Sequence, residues 1–482
     1  MNRLPATLLG ILIVTTAGCQ PSEKVPELPV IMDANQAIAE IGDLSVTGQD
    51  LKEEILSSMM PNPRHFRPDA EDVEPQAVLM KLLGDKALVL DARQQGLLNE
   101  GSAPKRIKRY RMSQLTTALA LTIVPTMPEV TDEEVAAYIE KNRKETPERA
   151  KVQLANQKRA QIMEEFYQEL VKTRNFKVLS RSCATGAEIY ERLLNKPGKP
   201  RTQFWVQNDQ FDEDVTPEQK QMLLAEWDGG QFTLADFFDT LSTVSPPSRP
   251  KNLTTAKGFE DFLNRMIRRP VLETEALSRH MDLRPDVVQV MRTYEDRILM
   301  NMVRSQVSKD ITEPNEEELR GYYNLTIGQE DLMTRIKVDM IWCQTRDVAQ
   351  KALADLEAGT DFNEVQSTYT LEEKSRATQV TSQSMGVYWK ALKGSKVGEV
   401  VGPLPGQYQR QLAWQLMRVK DIEKRDYPTF EQVKTHLEGE IHEARMDQKL
   451  DQMRSELLAK IPYKILTAKP EVFDPRYVKE TP

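Results

Sequence analysis

The stretch Ile38–Leu51, IAEIGDLSVTGQDL, decides the fold of this chain because it occurs a second time as Leu224–Phe237, LAEWDGGQFTLADF, at an offset of 186 residues without a gap. Each copy begins with a strand-like run, passes through a glycine turn and reaches a threonine. Thr47 and Thr233 are each followed three residues later by an aspartate, which is typical of a helix N-cap. The sequence therefore predicts a strand, a turn and a helix at the start of both copies.

The repeat continues beyond these openings. At an offset of 184 the apolar positions of one amphipathic helix match those of another, and Tyr138 matches Tyr322; the matched positions are Leu79, Leu83, Leu88 and Ala92 over Leu263, Ile267, Leu272 and Ala276. Near the end of each copy the offset is 287, with Phe166, Leu170, Phe176 and Val178 over Met453, Leu457, Tyr463 and Ile465. The difference of 103 residues is the size of a small domain. One unit thus occurs twice, with a domain inserted late in the second copy or lost from the first.

From this pattern we predict a mostly α (α+β) chain with two helical cores and an inserted α+β domain. A strand at the front of each copy and a strand at its end are expected to pair with each other, Ile38–Ile41 with Phe176–Leu179 and Leu224–Trp227 with Tyr463–Leu466. In the second copy, Pro270 is expected to kink the matching helix, because proline removes one backbone donor. The predicted segments are a leader (1–18), a tether (19–34), the first core (35–180), a connector with a short helix at 188–194 (181–214), the second core (215–330 and 425–470) and the insert (331–424).

Composition excludes several classes of protein. The chain of 482 residues has 65 basic and 73 acidic side chains and a net charge of −8, which does not provide the basic face that nucleic acid requires. It contains no His-Glu-x-x-His, Gly-x-Ser-x-Gly or Gly-x-Gly-x-x-Gly motif. We therefore expect no nucleic-acid partner, no metal and no cofactor.

The N-terminus indicates export. Arg3 precedes the short apolar stretch Leu8–Val14 and then Thr16-Ala17-Gly18-Cys19, which resembles a bacterial lipoprotein signal whose removal leaves Cys19 lipidated. The apolar stretch is shorter than the ~20 residues that span a membrane. An ordinary cleaved secretory signal is the alternative. In both cases we expect an extracytoplasmic protein of the bacterial cell envelope, located in the outer membrane or periplasm if the cell is Gram-negative. With a lipoprotein signal, the protein is held at the membrane by lipid on Cys19.

Two resemblances to known families extend this reading. The opening Ile38–Leu51 and the helix Leu79–Leu97 resemble SurA-type chaperones and their PrsA-type lipoprotein relatives, and the resemblance covers most of the chain. The insert resembles a parvulin (PpiC-type) prolyl isomerase domain, through Ala349–Val365, Val397–Pro403 and Ala413–Val419.

The positions at which the parvulin family carries its two histidines are occupied here by Met340 and Gln415. The four histidines of the chain all lie outside the insert: His65, His280, His436 and His442. If isomerase activity remains, the resemblance places it at Asp339, Met340, Tyr388, Trp389 and Gln415. Met340 and Trp389, with Trp342 and Trp414, are otherwise explained as core or as a peptide-holding patch, so Trp342 and Trp414 join Met59 and Met60 as candidate client-binding residues.

The resemblance therefore implies an extracytoplasmic chaperone that holds unfolded or nascent exported proteins, without ATP, beside a degenerate PpiC-type domain. Two alternatives stay open. One is an active isomerase with a divergent site, and the other is a structural envelope lipoprotein that binds one fixed partner.

Overall fold

The computed structural model describes residues 34–59, 73–142, 145–197, 205–326, 333–371, 378–381, 386–409 and 411–474. The fold is mostly α with small sheets, as the sequence predicts. The helices are α1 Gly48–Met59, α2 Pro75–Gln94, α3 Ala103–Ile123, α4 Asp132–Lys141, α5 Pro147–Thr173, α6 Ser180–Leu194, α7 Asn208–Glu213, α8 Pro217–Lys220, α9 Leu234–Leu241, α10 Ala256–Met266, α11 Arg268–Ser278, α12 Pro285–Asp310, α13 Glu316–Thr326, α14 Arg346–Glu357, α15 Phe362–Tyr369, α16 Gly386–Leu392 and α17 Phe430–Leu458. The strands are β1 Ala37–Ile41, β2 Leu44–Thr47, β3 Lys177–Val178, β4 Leu223–Trp227, β5 Gly230–Thr233, β6 Met333–Cys343, β7 Thr378–Thr381, β8 Val400–Tyr408, β9 Gln411–Arg425 and β10 Tyr463–Ile465.

Both copies open as their threonine caps predict. The amide of Asp50 donates to Thr47 Oγ1 at 3.1 Å, and the amide of Thr47 donates to Asp50 Oδ2 at 2.8 Å. The same reciprocal pair joins Asp236 and Thr233 at 3.2 and 3.1 Å. Each pair satisfies two backbone donors that a helix start leaves without partners, and each helix begins directly after its threonine.

The closing strands pair across the two copies rather than within them. β1 pairs with β10, with Ile41 opposite Tyr463, and β4 pairs with β3, with Ala225 opposite Val178. The expectation that each copy closes on itself is therefore wrong. Its physical cause is that the two closing strands carry the same apolar and charged pattern, so their sequence does not distinguish between the two possible partners.

The described residues fall into two compact units that follow this exchange. One unit holds the residues up to Leu90 together with those from Arg304 onward, and the other holds Asp91–Val303. The divisions lie inside α2 and α12. Each unit therefore combines the first half of one copy with the second half of the other.

The unit Asp91–Val303 is built around aromatic residues. Phe237 stacks on Phe259 with ring centroids 3.9 Å apart. The ring of Phe259 leaves no room for a side chain at Gly186 of α6, where a Cβ would lie 2.7 Å from it. Residues 180–194, expected to be part of a connector, are thus a core helix, because Cys183 and Tyr190 also face this apolar cluster.

Pro270 interrupts its helix earlier than expected. The matching helix of the second copy ends at Met266 and begins again at Arg268, with Ile267 as the joint. Pro270 then lies in the first turn of α11, where a missing backbone donor costs little. The result is a break three residues before the proline instead of a kink at it.

The unit that holds the residues up to Leu90 and those from Arg304 onward contains a four-stranded antiparallel sheet in the order β7-β6-β9-β8. Helices α14 and α15 contribute to the apolar cluster on one face of this sheet, and α16 contributes to the cluster on the other. Along β6 and β9, side chains alternate between the two clusters, as the pleat of a strand requires. This sheet positions the candidate site.

Within the described residues, none of the helices has the length and apolar character that crossing a bilayer requires.

Candidate functional site

The face of the sheet that α16 covers brings together three of the positions singled out from the sequence. On paired strands β6 and β9, Trp342 lies opposite Gln415, and Met340 lies opposite Met417. Alternation along the strands places Met340, Trp342 and Gln415 on the same face. Tyr388 and Trp389 of α16 are buried in the apolar cluster that includes Met417 and contacts Met340.

Gln415 is the most unusual residue of this face. Its side chain is fully buried, with 0% exposure. In the part of the chain that the structure describes, neither its Oε1 nor its Nε2 makes a hydrogen bond of ordinary geometry. A buried polar group without a partner costs about 1–3 kcal/mol. Such a group is rare in native structures and is a reason to look for a function at that position.

Tyr388 is a titratable group that interacts with this amide. Burial raises the pKa of Tyr388 to about 12, and the Gln415 side chain opposes that shift. The phenol therefore remains a neutral O–H group throughout the physiological range. Its hydroxyl lies over Gly406 of β8, where a Cβ would be 2.6 Å from Tyr388 Oη and 3.0 Å from the Trp342 ring. Gly406 thus allows both aromatic side chains to approach the sheet.

Gly406 was missed by the sequence reasoning, although a glycine inside a strand is a known sign of close approach. Gly402, in the predicted late turn Val397–Pro403, has a similar role towards the backbone. Its φ is +125°, and a Cβ there would lie 2.5 Å from the carbonyl oxygen of Gln415.

Asp339 lies on the opposite face from the amide. Its carboxylate accepts a hydrogen bond from Arg418 Nη2 at 2.9 Å. The Arg418 guanidinium carbon lies 4.0 Å from the centre of the Phe362 ring. The structure therefore does not bring Asp339 together with Gln415 and Tyr388. Trp389 is 5% exposed and fills the core between α16 and the sheet.

The candidate client-binding residues do not form one patch. Trp342 and Trp414 are 8% and 4% exposed. They lie on opposite faces of the sheet, because Trp342 is opposite Gln415 and Trp414 is opposite Cys343. Met59 ends α1. Met60 and Cys19 lie outside the described residues.

The arrangement offers neutral hydrogen bonding beside an apolar wall. The amide of Gln415 and the phenol of Tyr388 are neutral hydrogen-bonding groups, and Met340 and Trp342 supply apolar surface. Because both polar groups are buried, a peptide group could reach them only after neighbouring side chains move. Neither group exchanges a proton near neutral pH. Among the described residues, no group of three or more His, Cys, Asp or Glu side chains is placed to hold a metal ion.

Comparison with known families identifies this part of the chain. Residues 314–435 match the family model of the PPIC-type PPIase domain. The chain therefore carries a PpiC-type domain, and the resemblance of the insert to this family is confirmed.

Solved structures similar to the chain include proteins described as chaperones, as foldases and as peptidylprolyl isomerases. They include a SurA-like chaperone of Campylobacter jejuni (15% identity, 48% of this chain and 93% of that one, TM-score 0.23). Another is the foldase protein PrsA of Streptococcus pneumoniae, with 15% identity, coverage of 39% of this chain and 71% of that one, and a TM-score of 0.27. A third is PrsA of Bacillus subtilis, with 12% identity, coverage of 53% of this chain and 98% of that one, and a TM-score of 0.18. At these scores the likeness carries no argument about activity. No curated protein matches this sequence.

Proposed function

We propose that this protein is an extracytoplasmic, lipid-anchored folding chaperone of the SurA/PrsA type that holds segments of unfolded client proteins. The observation that carries the proposal is the PpiC-type domain at 314–435. By the sequence resemblance, Met340 and Gln415 replace the two family histidines in this domain, and Gln415 is buried. A domain built to hold proline-containing segments remains, while the groups associated with turnover are replaced.

Burial favours holding over turnover. Rotation about an X-Pro bond crosses a barrier of about 20 kcal/mol, and a catalyst must favour the twisted amide. Gln415 is 0% and Tyr388 is 4% exposed. A peptide could contact their polar atoms only after neighbouring side chains move, so a ready site for the twisted amide is not formed.

A separate apolar groove suits an extended client. In the unit Asp91–Val303, a cavity of about 660 Å³ is lined by Met127, Pro128, Val130, Val152 and Ala155, among others. Met127 and Val152 are 48% and 59% exposed, so both apolar side chains are accessible to a client at this groove. Weak contacts at several such places allow a client to be held and released.

The test is suppression of aggregation by the form lacking residues 1–19. We expect protection of a chemically unfolded protein at stoichiometric amounts, and a clear loss of protection in Met127→Glu with Val152→Glu. Leu283→Glu is the matched control, because Leu283 is 70% exposed but does not line this groove. Absence of protection by the parent protein would remove the chaperone proposal.

An active isomerase with a divergent site is the second candidate, favoured by the unpaired amide of Gln415 beside Tyr388. A proline-turnover assay on short peptides distinguishes the two. Turnover that is abolished by Gln415→Leu supports the isomerase, and absence of turnover together with protection from aggregation supports holding alone.

Lipid anchoring rests on the sequence around Cys19. Mass spectrometry of the membrane fraction should find a diacylated terminal cysteine, and Cys19→Ser should release the protein from that fraction. Cleavage at another position, without lipid, would show an ordinary secretory signal.

A further inference from the structure

We propose that the two copies in this chain recognise each other, and that Arg454 and Arg268 determine that each closing helix packs on the other copy. The repeat aligns α2 with α11 at an offset of 184 and α5 with α17 at an offset of 287. Gly84 and Asp85 thus correspond to Arg268 and Arg269, and Tyr167 corresponds to Arg454. These equivalent positions carry different chemistry in the two copies.

In the first unit the closing helix α17 brings an arginine against a glycine. Arg454 is 8% exposed, and its Nε donates to Asp85 Oδ1 at 2.8 Å. Its side chain passes so close to Gly84 that a Cβ there would lie 2.7 Å from Arg454 Cβ. The contact therefore requires a small residue and an acid, in that order, on α2.

In the second unit the closing helix α5 brings an aromatic ring against an arginine. The Arg268 guanidinium lies 5.2 Å from the centre of the Tyr167 ring, and it also donates to Glu164 on the same helix. This is a cation–π contact completed by an ion pair. The acid is common to both closing helices, because Glu164 corresponds to Asp451, which pairs with Arg454. The ring of Tyr167 is therefore the feature that distinguishes α5 from α17.

Closure of each copy on itself would mismatch both contacts. Arg454 would meet Arg268 and Arg269, and it would keep only Asp451 of its own helix as a charged partner, because Asp85 would be lost. Tyr167 would meet Gly84 and lose its cation. Such like-charge contacts discriminate against the wrong partner, in addition to the contacts that favour the correct one.

A second contact discriminates in the same direction. Glu275 of α11 is buried and accepts hydrogen bonds from Arg174 and from Arg279 Nε, the latter at 2.6 Å. In the repeat, Arg174 corresponds to Ile461. Closure within the second copy would therefore replace Arg174 by an apolar residue beside a buried carboxylate.

The pairing residues of the strands do not determine which copy each closing strand joins. Glu40 lies opposite Lys464, and Glu226 lies opposite Lys177. Closure within each copy would again pair each glutamate with a lysine, because the two glutamates are equivalent and so are the two lysines. The helix contacts are thus the determinants of partner choice.

The test uses the mature full chain with a protease site introduced within 198–204, which is cut after folding. Lys177 and Glu226 are exposed and lie opposite each other on β3 and β4. In the variant Lys177→Cys with Glu226→Cys, oxidation should form a disulfide that joins the two fragments on a non-reducing gel. Size-exclusion chromatography should show the mass of one chain. Fragments that are not joined, or joined fragments with the mass of two chains, would overturn the intramolecular exchange.

Partner choice is tested by exchanging the closing residues, Tyr167→Arg with Arg454→Tyr. We expect the joined fraction to fall from most of the protein to a minority, and a disulfide between Glu40→Cys and Lys177→Cys to appear instead. The matched control is Gln168→Ser with Ser455→Gln, at exposed neighbouring positions of the same repeat, which should leave joining unchanged.

A rescue separates choice of partner from loss of folding. The rescue also exchanges the residues of α2 and α11 that the closing helices contact, so that each contact again has matching partners. These substitutions are Gly84→Arg, Asp85→Arg, Arg268→Gly and Arg269→Asp, and they should restore the disulfide between the two fragments. Unchanged joining in the closing-residue swap, or failure of the rescue, would show that these residues do not select the partner.

Discussion

Gly84 of α2 and Arg454 of α17 pack so closely that a Cβ added to the glycine would lie 2.7 Å from both Cβ and Cγ of the arginine. Atoms near the start of the arginine side chain cannot move away without moving the helix. The same arginine is held by Asp85, 369 residues away in sequence. This contact fixes how a late helix meets an early one.

Gly84→Ala is therefore expected to destabilise the unit that holds α2 and α17. Alanine favours a helix by about 1 kcal/mol over glycine, but overpacking costs about 1–3 kcal/mol. Urea unfolding should show a lower free energy of unfolding. Gly321→Ala is the control, because a Cβ there meets nothing within 4 Å, and it should raise the stability. A stabilised Gly84→Ala variant would contradict the close packing.

The stability of the other unit should depend on pH through Glu275. Burial raises the pKa of its carboxyl, but the hydrogen bonds from Arg174 and Arg279 outweigh this and hold the pKa below 4.5. A carboxyl with a lowered folded pKa stabilises the fold above its unfolded pKa, and this stabilisation is lost as pH falls. Glu275→Gln should cost about 2 kcal/mol at pH 7, and the difference from the parent should shrink between about pH 5 and pH 3.

Unfolding monitored at several pH values checks this prediction, with Glu169→Gln on the exposed side of α5 as the control. A difference between parent and Glu275→Gln that stays constant as pH falls would show that the carboxylate charge does not contribute.

Gln415→Leu should stabilise the PpiC-type domain. Leucine has a similar volume and removes two buried polar atoms that, among the described residues, make no hydrogen bond of ordinary geometry. This is expected to raise the free energy of unfolding by about 1–2 kcal/mol. Gln366→Leu is the opposite case, because Gln366 Nε2 donates to the Met340 carbonyl at 2.7 Å, and it should destabilise. Thermal unfolding of the two variants compares them directly, and equal effects would mean that Gln415 has a partner.

The thiols of Cys183 and Cys343 should be unreactive in the folded protein. Both are fully buried, and burial raises the pKa of each thiol to about 11. Only the thiolate is nucleophilic. A disulfide reagent at pH 8 should therefore modify neither thiol in the form lacking residues 1–19 until denaturant is added, whereas rapid modification of either one would indicate local opening.

Local structure could be predicted from the sequence because it depends on nearby residues. The caps at Thr47 and Thr233 and the apolar spacing of Leu79, Leu83 and Leu88 each determine an element by themselves. The partner of each closing strand could not be predicted from periodicity, because Lys177 and Lys464 suit Glu40 and Glu226 equally. It depends on side chains of α2, α5, α11 and α17 that meet only in three dimensions.

The candidate site shows the same division. The resemblance to PpiC-type domains singled out Met340 and Gln415, and the structure places them on the paired strands β6 and β9. Asp339 was included because it precedes Met340, but alternation along β6 turns it to the other face. Gly406 was missed because its role depends on Tyr388, which arrives from a helix 18 residues earlier.

The pairing of Ile41 with Tyr463 imposes an order of events during synthesis. β1 leaves the ribosome long before β10, and its edge cannot be covered until this strand, 422 residues later, has been made. Closing so long a loop is entropically costly and slow. An uncovered strand edge can pair with other chains, so the unfinished chain of this proposed chaperone has an edge that needs protection until β10 has been made.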